Sequence, residues 1–177
     1  MKSSSIFFHG KKDLAAHLCH NVQENFKFNA QEEIQAVQPF HKLLYHEVLL
    51  PKGAHEKFQN YRTLWGDALD LTDDYPYKAL HTIIPLPEAP LIGNVALCKQ
   101  IAKIYFLRHC IAVQLDIHSE DELDATLHGH LLVSPYIFSQ GGEKLGKWVD
   151  IEARSFEGGS FLGMSKEEKG FSRASLK

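Results

Sequence analysis

Three histidines towards the end of the chain have the residue type and the spacing of a metal site. His128 and His130 form an H-x-H pair that opens an apolar run ending at Val133, which is typical of a β-strand. Residues two apart on a strand point to the same face of a sheet. His118 ends a second apolar run, 111–117, and nine residues separate it from His128. If the two runs pair antiparallel, three imidazoles converge on one side of the sheet, as a divalent metal with open coordination positions requires.

The chain contains 11 histidines, and this abundance leaves a simpler interpretation open. An H-x-H pair in a strand can be two polar positions on a solvated face, because most histidines bind no metal. Asp116 lies two residues before His118 and shares its strand face. It could orient a ligand histidine through the second ring nitrogen, or it could be an ordinary carboxylate near a strand end.

Length, composition and charge indicate one globular domain. The chain has 177 residues, 44% hydrophobic and 11% aromatic, which is enough for a packed core. A formal net charge of -3 does not indicate a polyanion partner, although a local basic face can act against an acidic average. Three cysteines without C-x-x-C spacing favour a reduced, cytoplasmic protein. No apolar run reaches transmembrane length, and the N-terminal apolar segment is too short for a signal peptide, so we expect no membrane association.

Hydrophobic periodicity predicts alternating strands and helices. We expect strands over 6–8, 43–50, 78–84, 111–118 and 128–133, and helices over 11–26, 54–71 and 95–108, the last capped by Asn94. Residues 30–37 are polar and predict a loop or a short helix. This order favours an α+β fold, a central, mainly antiparallel sheet with helices packed on one face. Residues 1–155 would form the domain, and the Gly- and Ser-rich residues 156–177 a tail or linker.

From Val48 onward the chain resembles the MobA/MobL family of plasmid relaxases, which belong to the HUH endonucleases. The similar segments, in order, are Val48-Leu-Leu-Pro51, Tyr61-Arg-Thr-Leu-Trp65, Ile83-Ile-Pro-Leu-Pro-Glu88, Ile117-His118, His128-Gly-His130-Leu-Leu-Val133 and Gly146-Lys-Trp148. Together they span about two-thirds of the chain. The most specific element is the histidine triad downstream of the Leu-Trp helix.

The resemblance implies a relaxase fold with an HUH metal site at His118, His128 and His130. Such an enzyme transfers a DNA phosphodiester to a tyrosine and later reverses the step. It implies Mg or Mn as the cofactor, whereas purely imidazole ligation favours Zn or Ni. It also implies single-stranded DNA at a transfer origin as the partner, with accessory mobilisation proteins.

The chain departs from the family pattern where catalysis would occur. The first helix has no tyrosine, and His20 stands approximately at that position; Tyr136, six residues past His130, is the other candidate nucleophile. The family's arginine after the strand is replaced by Pro135-Tyr136, and Lys144 and Lys147 could bind DNA in its place. The acidic residues between the ligands, Glu120, Asp121, Glu122 and Asp124, would repel phosphate.

Three functions stay open at this point. The first is a metal-dependent DNA strand-nicking and strand-transfer relaxase whose activity these departures impair. The second is a non-catalytic descendant that binds DNA or protein. The third, outside the family, is a hydrolase that uses three histidines to hold a metal with a bound water.

Overall fold

The computed structural model describes residues 4–24, 26–27, 33–34, 42–71, 77–119 and 127–148. The predicted tail at 156–177, most of segment 30–37 and the acidic residues at 120–124 lie outside these ranges. No helix among the described residues is long and apolar enough to cross a membrane.

An antiparallel sheet forms the centre of the fold. Its strands are β1 (Ser4–Phe8), β4 (Lys42–Leu49), β5 (Ala79–Pro85), β6 (Ile111–Ser119), β7 (Leu127–Phe138) and β8 (Leu145–Trp148). They lie in the order β1-β5-β7-β6-β4, and β8 pairs with β7. Two short strands, β2 (Phe26–Lys27) and β3 (Glu33–Ile34), form a separate antiparallel pair.

Among the described residues, three α-helices cover both faces of this sheet. They are α1 (Lys11–Val22), α2 (Tyr61–Asp70) and α3 (Leu91–His109). Leu18 of α1 and Trp65 of α2 belong to a core cluster with Leu132 of β7. Cys98 and Tyr105 of α3 belong to a second cluster, which contains the apolar residues of β6 and β7 that face the other way. The expectation of helices on one face was wrong, because β6 and β7 are buried on both faces: α3 packs on the apolar face, and α1 and α2 pack on the face that carries the buried polar residues.

Two predicted helix starts differ from the structure for local reasons. The expected helix 54–71 is split into a short 3-10 helix, Glu56–Gln59, and α2, because the Asn60 side chain accepts a hydrogen bond from the Arg62 backbone N–H and starts a new helix. Asn94 lies inside α3, where its amide donates to the carbonyls of Pro87 and Ala89 at 3.3 Å.

Strand β7 continues through Pro135, although the apolar run predicted its end at Val133. The register of β7 with β6 shifts between the Val133 and Ile137 pairs, so the proline falls at an irregularity. Beyond it β7 pairs with β8, beginning at Tyr136 and Trp148.

Candidate metal centre

His118, His128 and His130 converge on the face of the sheet that α1 covers. In the β6–β7 register His118 lies opposite His128, and Asp116 lies opposite His130. The ring centroids are 5.6 Å apart for His118 and His128, and 4.7 Å apart for each of the other two pairs. One nitrogen from each ring lies within 4.8 Å of the others. The structure therefore has the antiparallel return and the shared face that the spacing predicts.

The donor atoms of this triad suit a cation. His118 and His130 are buried, at 0% and 3% exposure. The Nε2 atom of His130 is buried and has no hydrogen-bond partner among the described residues. A buried polar atom without a partner destabilises a fold by roughly 1–3 kcal/mol, and coordination of a cation would remove that penalty. Three imidazole nitrogens form a donor set that fits a late divalent transition metal.

Hydrogen bonds on the outer side of the triad orient two of its rings. Nε2 of His118 lies 2.7 Å from the backbone carbonyl oxygen of Asn21 in α1, so this nitrogen donates and Nδ1 is the atom that can bind a metal. Nδ1 of His130 lies 2.8 Å from Nε2 of His81 in β5, and Nε2 of His130 faces the triad.

The surroundings keep two rings of the triad, those of His118 and His130, in the neutral form that binds metals. Burial lowers the pKa of His130 far below its usual value, and the neighbouring histidines, His81 first, lower it further. Burial also lowers the pKa of His118, against the opposing effect of the Asn21 carbonyl. These rings are neutral near pH 7, and a neutral imidazole is the metal-binding form.

Gly129, between the two histidines of the H-x-H pair, is in contact with α3 on the far face of the sheet. A Cβ atom at this position would lie 2.8 Å from the Sγ atom of Cys98. Cys98 is fully buried, and burial raises its pKa to about 12. The middle residue of the histidine strand is therefore glycine because a helix packs directly behind it.

The two candidate nucleophiles lie in different places. His20 projects from α1 towards the triad, with its ring centroid 5.8 Å from His118 and 6.5 Å from His130. Tyr136 is fully buried in the core, and its hydroxyl accepts a hydrogen bond from Lys78 Nζ at 3.2 Å. Tyr136 is six residues beyond His130, and six residues along a strand span about 20 Å. The structure therefore brings His20 to the triad and does not bring Tyr136 there.

Asp116 does not orient a histidine of the triad. Although it lies on the same face, its Oδ1 is 2.6 Å from Nδ1 of His46 in β4, and its Oδ2 accepts a hydrogen bond of 2.7 Å from Gln114. The Oε1 atom of Gln114 in turn accepts a 2.7 Å hydrogen bond from the indole of Trp65. Burial lowers the pKa of His46, but Asp116 and nearby glutamates outweigh burial and raise it overall.

Lys144 and Lys147 are exposed at the opposite end of β7. The turn before Lys144 is closed by two hydrogen bonds between Lys144 and Ser139, which involve the backbone N–H and the carbonyl of Lys144. The same turn contacts the 3-10 segment through a 3.1 Å hydrogen bond from the His55 N–H to the Gly142 carbonyl. The structure does not bring these lysines close to the triad.

His17 and His81 join the site although sequence reasoning did not select them as ligands. The Nε2 atom of His17 lies 3.2 Å from Nε2 of His81, which is 2.8 Å from Nδ1 of His130. Burial, followed by the nearby His20 and His118, lowers the pKa of His17 to about 4. The one available sequence signal was that His17 and His20 lie three apart on a helix and therefore share a face.

A comparison of folds finds a similar solved structure, whereas comparisons of the sequence with family models and curated proteins find no match. No known protein family model and no curated protein matches the chain. A solved structure described as "Molecular Basis of Vancomycin Resistance Transfer in Staphylococcus aureus" is similar, with a TM-score of 0.69 and 22% identity. The match covers 94% of this chain and 82% of that chain. It confirms the predicted α+β fold class with an antiparallel central sheet.

Proposed function

We propose that this protein is a relaxase-type enzyme that nicks one strand of DNA at a transfer origin and transfers the cut end. The observation that carries the proposal is the triad of His118, His128 and His130 on two central antiparallel strands, with a buried ring nitrogen of His130 directed into it. The fold likeness supports it, because the similar structure concerns the transfer of resistance. The sequence resemblance to MobA/MobL relaxases points to the same class.

The triad would hold a divalent ion, whose chemistry is Lewis-acid polarisation of the scissile phosphate. The chain's own contribution is to keep His118 and His130 neutral and oriented. The Asn21 carbonyl orients the ring of His118, and His81 contacts that of His130. With Zn or Ni these nitrogens would bind more tightly than with Mg or Mn, which prefer oxygen ligands.

His20 is the proposed nucleophile, because it is the candidate that faces the triad. An imidazole nitrogen can accept a phosphoryl group. In this step a nitrogen–phosphorus bond forms, the bond from phosphorus to the 3′ oxygen of the neighbouring nucleotide breaks, and the departing oxygen takes up a proton as the imidazole loses the one on its other ring nitrogen. Lys144 and Lys147 would contact a more distant part of the DNA strand. The proposed setting is the cytoplasm, with accessory mobilisation proteins as further partners.

A nicking assay tests the proposal. Labelled single-stranded oligonucleotides tiled across the DNA that flanks the gene would be incubated with the protein and with Mn, Zn or Ni. We expect a covalent adduct that needs the metal and disappears in His128→Gln and His20→Gln. Tyr136→Phe, which tests the other candidate, should leave the adduct unchanged. His9→Gln, at an exposed position outside both histidine groups, is the matched control.

A second candidate, a non-catalytic DNA-binding descendant, is favoured by the positions of the tyrosines. Helix α1 contains no tyrosine, and Tyr136 is locked in the core by burial and by Lys78. Binding of the oligonucleotides without cleavage in every metal would support this candidate and refute the nicking proposal. Cleavage that depends on metal but leaves no adduct would instead support a hydrolase.

A further inference from the structure

A second group of imidazole nitrogens meets behind the triad. His17 comes from α1, His81 from β5 and His130 from β7, and one nitrogen of each lies within 4.8 Å of the others. The short contacts within the group join Nε2 of His81 to Nε2 of His17, at 3.2 Å, and to Nδ1 of His130, at 2.8 Å. His81 is fully buried, and His130 is 3% exposed. This group shares His130 with the triad, and its short contact is to Nδ1 of that ring, opposite the buried Nε2 that has no hydrogen-bond partner among the described residues.

Hydrogen bonding alone accounts poorly for this arrangement. A ring nitrogen has either one proton or one lone pair in the ring plane, so it makes one well-directed hydrogen bond. Nε2 of His81 nevertheless has two ring nitrogens close to it, at 3.2 and 2.8 Å. A cation at the centre would take all three lone pairs at once. Nitrogens bound at about 2.0–2.1 Å to a tetrahedral ion are roughly 3.3 Å apart, so small ring movements complete the site.

We propose that His17, His81 and His130 form a second metal site, joined to the first through the imidazole of His130. The donor set is entirely imidazole, which selects late divalent transition metals such as Zn, Co, Ni or Cu and disfavours Mg and Ca. When both ring nitrogens of His130 are ligands, its ring proton is released to solvent. The low pKa of His17, about 4, keeps its lone pair available near pH 7.

Metal stoichiometry tests this proposal without any DNA substrate. The full chain would be dialysed against Zn, and then separately Co, and its metal content measured by elemental analysis. We expect two ions in the wild type, one in His17→Gln, one in His128→Gln and none in His130→Gln. His9→Gln should keep both ions. Circular dichroism checks that each variant is folded.

Copper provides a second readout that depends on the shared ring. Two Cu(II) ions bridged by one imidazolate are exchange-coupled, so the wild type should give a weak electron paramagnetic resonance signal for its copper content. His17→Gln should give the full signal of an isolated ion. His17→Gln and His128→Gln suffice for the test even if His130→Gln does not fold.

The outcomes separate this proposal from the proposed function. One ion in the wild type, lost in His128→Gln and kept in His17→Gln, would overturn the second site and leave the triad intact. Two ions without nicking would support the second site and count against the enzyme.

Discussion

Replacing Gln114 with methionine would remove the middle of a buried hydrogen-bond chain that links α2 to the central strands. Gln114 is fully buried; it accepts a 2.7 Å bond from the Trp65 indole and donates a 2.7 Å bond to Asp116. Methionine has a similar volume, so it leaves no large cavity. Two buried polar atoms, the indole N–H and Oδ2 of Asp116, would each lose a partner.

The expected loss of stability follows from these two atoms. Each orphaned group destabilises by roughly 1–3 kcal/mol, and the gain from burying an apolar side chain offsets part of this. We expect the free energy of unfolding to fall by about 3 kcal/mol, a large share of the roughly 5–15 kcal/mol typical of a domain. For a chain of this size the melting temperature should fall by about 6–12 °C.

Urea unfolding followed by circular dichroism, with a chelator present to remove metals, measures this loss. Gln100→Met is the matched control, because Gln100 is exposed on α3, and its effect should stay within about 0.5 kcal/mol. Trp65→Phe combined with Gln114→Met should lose less than the sum of the single changes, since both break the same bond. A loss below about 1 kcal/mol in Gln114→Met, or strict additivity, would refute the reasoning.

Three further predictions concern the site and its supports. The pKa of His46 is raised above 6.5 in the folded protein, so its pairing with Asp116 stabilises the fold at pH values below 6.5, and this contribution is lost as the pH rises through the folded-state pKa. His46→Gln should therefore lose more stability near pH 5.5 than near pH 9. An equal loss at the two pH values would contradict this. Gly129→Ala should lower the free energy of unfolding by about 1–3 kcal/mol through overpacking against Cys98. Adding Cys98→Ala should restore most of the lost stability, and a thermal melt of the double variant that shows no such rescue would disprove the contact. Zinc at about a hundred times its dissociation constant should add about 2.7 kcal/mol per site, measured as a rise in melting temperature; His130→Gln should show no such rise, and a rise equal to that of the wild type would show that zinc binds elsewhere.

The two central strands and the histidine triad were predictable because the sequence patterns that indicate them involve residues close together in the chain. The apolar run ending at His118 and the H-x-H pair fix both the strand face and the return of the chain, and the β6–β7 register has that geometry. Periodicity of two residues is enough for such inferences, since it depends only on neighbours along the chain.

The partners from distant segments were not predictable in this way. His81 reaches His130 only because β5 lies beside β7 in the sheet, and His17 reaches both only because α1 crosses that face. Asp116 was expected beside the triad, but its partner His46 comes from β4, whose register with β6 is set by tertiary packing. One sequence does not specify which strands become neighbours.

The three imidazoles of the triad differ in how solvent reaches them. His118 and His130 are enclosed, whereas His128 near the start of β7 is only half-buried. An ion arriving from solution would therefore meet His128 first and gain the two inner nitrogens afterwards. Departure would follow the reverse order, so the residence time of the ion should depend mainly on how readily the outermost ring swings away.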